Sequence, residues 1–128
     1  MSRPSPILSR QLRALALGYR LEITPDLQWL LVRDVRLPPG YDRSTTEVLV
    51  QLPPDYPASP PGLNGGVFVR PDLRFRGRLL DSVHQTVTPG WGAWAWFCYQ
   101  QIRWNPHRDN LISFMEMVRA DLTDPPIQ

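Results

Sequence analysis

The stretch Pro53-Pro54-Asp55-Tyr56-Pro57-Ala58-Ser59-Pro60-Pro61 puts five prolines into nine residues. Proline has no backbone N–H and a locked φ, so neither a central strand nor a helix interior can run through this stretch. The run before it, Thr46-Glu47-Val48-Leu49-Val50-Gln51-Leu52, largely alternates apolar and polar residues as a half-buried strand does. A strand therefore ends near Leu52, and a stiff, extended loop fixes where the chain goes next. Within that loop Tyr56 offers a ring to pack on the sheet and a hydroxyl to hydrogen-bond.

The rest of the chain is read around this loop. Ser5-Pro6 has the form of a helix start, serine as cap and proline in the first turn. Leu8, Leu12, Leu15 and Tyr19 recur at helical spacing, with Arg10 and Arg13 off that stripe, which predicts a helix over Ile7–Leu17 with a basic outer face and a stop at Gly18. Tyr19–Ile23 alternates as a strand, and Thr24-Pro25-Asp26 makes a turn. Leu27–Leu37 reads as a long strand with a bulge or an end near Arg33, where the parity breaks, and Pro38-Pro39-Gly40-Tyr41 ends it. After the Thr46–Leu52 strand and the proline loop, Gly65-Gly66 turns the chain into a short fourth strand, Val67–Val69. The expectation is an α+β domain, a four-stranded antiparallel meander behind one N-terminal helix.

Residues 70–90 have weak periodicity and read as loop. Trp91–Tyr99 is the most aromatic stretch; Trp91, Trp94 and Cys98, or Trp94, Phe97 and Gln101, would share a helical face, so it reads as a short, largely buried helix or turn. Asn105 as cap and Pro106 at the first helical position open a last helix, whose stripe is Leu111, Met115, Val118 and Leu122, widened by Ile112 and Phe114. Thr123-Asp124-Pro125-Pro126 stops it. With 128 residues and no repeat, a single domain over 1–128 is expected.

Composition excludes several function classes. No apolar run approaches the ~20 residues of a membrane span, and no signal peptide is read at Met1–Pro6. One cysteine, Cys98, forbids an internal disulfide framework, and a cytoplasmic setting is expected. One cysteine with His84 and His107 fits no zinc spacing, so no metal and no cofactor are expected. There is no phosphate-binding glycine loop and no Gly-x-Ser-x-Gly elbow. The aromatic stretch carries no interleaved basic residue, which argues against nucleic acid. Arg3, Arg10, Arg13 and Arg20, and separately Arg70, Arg74, Arg76 and Arg78, form basic segments, either solvated faces or docking surfaces for an acidic protein. All 14 basic residues are arginine, which fits either the codon bias of a GC-rich genome or a protein that handles lysine-reactive chemistry. Cys98 is either a small buried hydrophobe or a nucleophile, and His84 and His107 are the candidates to assist it.

The order of these features resembles the ubiquitin-conjugating enzymes, the E2 or UBC-like fold. Pro-x-Asp-Tyr-Pro-x-x-Pro-Pro after a strand matches their hallmark loop at Pro53, Tyr56, Pro57, Pro60 and Pro61, and Trp104-Asn105-Pro106 matches the Trp-x-Pro that follows their cysteine. Leu37-Pro38-Pro39-Gly40-Tyr41 and the Trp-rich stretch are more similar to bacterial E2-like proteins, which are encoded beside E1-like and ubiquitin-like partners, in some cases in antiphage defence operons. The resemblance implies that an E1-like enzyme transfers a ubiquitin-like protein to Cys98 as a thioester, from which a target amine takes it. It also implies that Arg10 and Arg13 on the first helix dock the E1-like enzyme. The alternative it leaves is an inactive E2-like module that binds the modifier or the E1-like enzyme. The His-Pro-Asn triplet of eukaryotic members is absent: the only asparagine before Cys98 is Asn64, and His84 is the closest polar substitute. His107 and Asp109, beside the Trp-x-Pro turn, are further supporting candidates. The domain is expected to be minimal, without the last two helices of the common fold.

Overall fold

The computed structural model describes residues 3–87, 89–99 and 103–128. Ser5 accepts a hydrogen bond from the Leu8 N–H at 3.1 Å and Pro6 takes the first helical position, so α1 (Pro6–Leu15) starts where its cap dictates. It stops two residues short of Leu17, which is 91 % exposed and has no packing to hold another turn. Leu8 and Leu15 are buried, while Arg10 and Arg13 point to solvent.

β1 (Arg20–Ile23), β2 (Trp29–Arg36), β3 (Thr45–Gln51) and β4 (Gly66–Val69) form the expected antiparallel meander. Between Val32 and Val35 the β2–β3 register slips by one residue, and Asp34 takes φ 61°. This is the bulge anticipated near Arg33. The meander is only part of the sheet. Residues 70–90, read as loop, contain a two-stranded hairpin of β5 (Arg74–Phe75) and β6 (Arg78–Leu79), then β7 (Val83–Gln85). The aromatic stretch, read as a helix or turn, is a strand, β8 (Trp94–Cys98). The sheet therefore has six strands in the order β1-β2-β3-β4-β8-β7. The reason is period two: Trp94, Trp96 and Cys98 alternate with Ala95 and Phe97, and aromatic side chains pack well on a pleated surface. Gln101, grouped with Trp94 and Phe97 in the helical reading, lies outside the described residues.

The sheet is buried on both faces. Leu30, Val32, Val48, Val50, Val67, Val69 and Phe97 pack with α1 and with α2 (Leu111–Asp121). On the other face Trp29, Leu31, Leu49, Phe68 and Trp94 form a second cluster. Arg70 lies over the Trp94 ring at 3.9 Å, pairs with Glu47, and donates to the Trp91 and Ala93 carbonyls, tying the 91–93 bend to this face. Arg70 is thus part of a packed network, while Arg74, Arg76 and Arg78 stay exposed.

The last helix begins later than Asn105-Pro106 suggests. Residues 106–108 form a turn, with the Asn105 side chain accepting from the His107 N–H. Asn110 is the true cap of α2: its side chain accepts from Ser113 N–H at 3.0 Å, and Ser113 Oγ accepts from Asn110 N–H at 2.9 Å. That reciprocal pair satisfies two end donors at once, which a proline four residues before the cap cannot do. Leu111, Phe114, Met115, Val118 and Leu122 are buried as the stripe predicts, but Ile112 faces solvent.

Candidate functional site

The proline loop has carbonyls to satisfy and few N–H groups to offer. Two of its carbonyls, and that of Leu63 just beyond it, are met by aromatic donors on either side of Cys98. Trp104 Nε1 donates to Pro57 O at 2.8 Å, Tyr99 Oη to Pro61 O at 3.2 Å, and Trp96 Nε1 to Leu63 O at 2.8 Å. Tyr56, at the cis Tyr56–Pro57 bond, stacks obliquely on Trp104 and donates to Gln11 Oε1 on α1. The same Gln11 oxygen accepts from Leu111 N–H at the start of α2. Phe114 stands edge-on to both Tyr99 and Trp104. The loop is therefore the frame against which Trp96, Tyr99 and Trp104 are held, and α1 and α2 are locked to that frame through one glutamine.

Cys98 is the last residue of β8, opposite Gly66 and partly exposed, with its Sγ 3.8 Å from Tyr99 O. The turn that brings β4 alongside is Asn64-Gly65, both with positive φ; Leu63 and Gly66 exchange bonds of 2.9 and 3.0 Å across it. This is the Asn-Gly hairpin pattern. Gly65 O accepts from Tyr99 N–H at 3.0 Å, so the hairpin tip abuts the residue after Cys98. Asn64, far from Cys98 in sequence, belongs to a turn beside it; the Asn-Gly dipeptide was the signal for that hairpin. Gly66 is required because the Trp96 indole lies over it. A Cβ there would run into that indole and sit 2.7 Å from Phe97 O. Gly66→Ala is expected to cost roughly 1–3 kcal/mol in denaturant unfolding, as overpacking does.

The histidines are not brought to the thiol. His84, on β7, pairs with Ala95, three residues along β8 from Cys98. At the rise of a strand that is about 10 Å, and an odd offset puts the two side chains on opposite faces of the sheet. His84 instead lines an open cleft with Thr86, Val87, Gly90 and Gly92. His107 is exposed in the turn after Trp104. Asp109 is buried and spends its carboxylate on local structure, accepting from Asn105 N–H at 2.8 Å and Ser113 Oγ at 3.2 Å.

Three tyrosines around the frame and core are harder to ionise than free tyrosine. Burial pushes Tyr41 and Tyr56 up, and burial with the neighbouring Cys98 charge pushes Tyr99 up. Folded values above the unfolded one near about 10 mean that this stabilisation is complete below that pH and is lost as pH rises through the folded values. The denaturation midpoint should therefore be insensitive to this group below about pH 10 and fall above it, in step with phenolate absorbance.

An N-terminal helix, a mostly antiparallel sheet and a C-terminal helix are consistent with a minimal E2-like fold, the fold of a class of conjugating enzymes that work with E1-like enzymes and ubiquitin-like proteins. Residues 10–124 match Prokaryotic E2 family E, and the chain belongs to that family. Comparison with curated proteins and with solved structures gave no match. No helix among the described residues is long and apolar enough to cross a membrane.

Proposed function

We propose that this protein accepts a ubiquitin-like protein from an E1-like enzyme as a thioester on Cys98 and passes it to a target amine, in a bacterial conjugation system such as those serving antiphage defence. The observation that carries the reading is a partly exposed cysteine at the end of β8, braced by the proline-loop carbonyls in an E2-family chain. In the first step the Cys98 thiolate adds to the acyl carbonyl and the E1 thiolate leaves. In the second an amine adds, loses a proton, and Cys98 leaves as thiolate. Arg10 and Arg13, exposed on α1, suit docking of the E1-like enzyme. The absence of lysine suits an enzyme that carries an amine-reactive acyl group, since its own side chains offer no primary amine. His84, His107 and Asp109 are given no part in the transfer on this reading. The test is E1- and ATP-dependent loading. A non-catalytic binding module would instead give a stoichiometric complex and no covalent product.

A further inference from the structure

Gly66 faces Cys98 across the β4–β8 pair. The Gly66 N–H and C=O both bond Leu63, on the other side of β4, and the Tyr99 N–H bonds Gly65 O. Gly66 and Cys98 are therefore a non-hydrogen-bonded pair, the closer kind. Side chains at such a pair share one face of the sheet, with Cβ positions about 5 Å apart. Gly66 has no Cβ, and the Trp96 indole takes that space: a Cβ there would lie 2.5 Å from the ring's Cε2. Trp96 precedes Cys98 by two residues on β8 and so stands on the same face. Its ring crosses β4 and donates from Nε1 to Leu63 O at 2.8 Å. The near edge of the indole thus lies within roughly 8 Å of the Cys98 Cβ, the span of a thiol and the first residue bonded to it. Trp94, two residues further back on this face, is buried, whereas Trp96 and Cys98 are both left partly open.

We infer that Trp96 is a specificity-determining residue of the acyl site: the residue bonded to Cys98 lies on the indole, which admits glycine there and resists any side chain. This rests on the thioester reading of Cys98 and adds which residue reads the acyl group. Along β8 and across to β4, the described neighbours of Cys98 on this face are Trp96 and Gly66, and Gly66 offers no side chain. An acyl group on Sγ that crosses this face meets the indole. Glycine carries only hydrogens on its α-carbon, so its peptide plane can reach van der Waals contact with the ring and cover it from water. A methyl group at that carbon holds the plane off. The ring cannot retreat to make room, because the Gly66 backbone lies directly beneath it. In the exchange itself the Cys98 thiolate adds to the carbonyl carbon, the bond from that carbon to the departing sulfur breaks, and the departing thiolate takes up the proton that Cys98 lost. Trp96 makes none of these bonds; it selects the acyl group for which they are made.

The test needs no E1-like enzyme. Acyl exchange onto Cys98 is timed by mass spectrometry for the thioesters of N-acetyl-glycylglycine and N-acetyl-glycylalanine with one small thiol, and N-acetylcysteine gives the intrinsic reactivity of each. Cys98 should favour the glycine thioester roughly 10-fold more than N-acetylcysteine does, the scale on which a site tells one methyl group. Trp96→Leu should bring that preference to within about 2-fold of the reference. Trp96→Phe keeps a flat ring, loses the bond to Leu63 O, and should keep about half of the preference or more. Alkylation by iodoacetamide should be alike in all three proteins. A wild-type preference equal to the reference would overturn the inference, as would one that survives Trp96→Leu. Equal losses in the two variants would overturn it too, since they would assign the effect to the Nε1 bond that braces the Leu63–Gly66 turn. If Trp96→Leu does not fold, the wild-type preference and Trp96→Phe still decide. A Cys98 that iodoacetamide alkylates and neither thioester acylates would overturn the thioester reading, and this inference with it; acylation without a glycine preference overturns the inference alone.

Discussion

With its E1-like enzyme, a ubiquitin-like protein and ATP, the wild-type protein should form one adduct that reducing agent cleaves, and Cys98→Ala should remove it altogether. The effect is all-or-none because Cys98 is the chain's only thiol. No other side chain can hold an acyl group as a thioester. Cys98→Ser keeps the shape and replaces the thiolate with a far weaker nucleophile, so it should load slowly and give an ester that survives reductant. Because Cys98 is partly exposed and its thiol makes, among the described residues, only a long sulfur contact to Tyr99 O, neither change should cost the fold more than about 1 kcal/mol. Loss of loading in a folded protein is then a chemical result. The missing lysines add a second readout: reductant-resistant self-adducts on lysine should not appear even with prolonged incubation. A reductant-sensitive adduct that persists in Cys98→Ala would sink the assignment.

The largest effect on stability is expected from Phe114→Ala. Phe114 is fully buried on α2, its ring 5.8 Å from Tyr99 and 6.4 Å from Trp104, nearly perpendicular to both. Those two rings carry the donors to Pro61 O and Pro57 O, so the substitution opens a cavity where the frame behind Cys98 meets the core. A truncation of this kind costs about 3–5 kcal/mol, a large share of the 5–15 kcal/mol that a domain possesses. Ile112→Ala, two residues earlier and 39 % exposed, should cost less than about 1 kcal/mol. Urea unfolding of the two variants side by side is the measurement. If Phe114→Ala unfolds within about 1 kcal/mol of wild type, the aromatic frame is not what holds the Cys98 segment.

The elements legible from sequence were those whose signals are local. Ser5-Pro6 marked the start of α1, the broken parity near Arg33 marked the bulge in β2, and the prolines after Leu52 marked the end of β3. The misreadings arose where two periods fitted one stretch. Trp94–Cys98 satisfies both helical spacing and strand alternation, and pairing with β4 and β7 decides for the strand. Asn105-Pro106 looks like a helix start, but the Asn110–Ser113 box satisfies the end of α2 better. Of the candidate site, Cys98 and the proline loop were named from sequence. That His84 sits on the far face of the sheet, and that the Asn64-Gly65 turn sits beside Tyr99, depends on register.

The proline stretch shows the division most clearly. Its residues alone determine that a strand must end and a stiff loop must follow, because proline's ring and missing N–H act wherever the chain is placed. They also determine that the loop carries carbonyls in excess of donors. Only the tertiary structure decides who meets the carbonyls of Pro57 and Pro61: Trp104 and Tyr99, 47 and 38 positions away in the chain. Likewise the sequence places one cysteine in an aromatic run, but only the β4–β8 register sets it opposite Gly66, beside the Asn64-Gly65 turn. Hydrogen-bond satisfaction is settled by neighbours in space, and no local pattern encodes it.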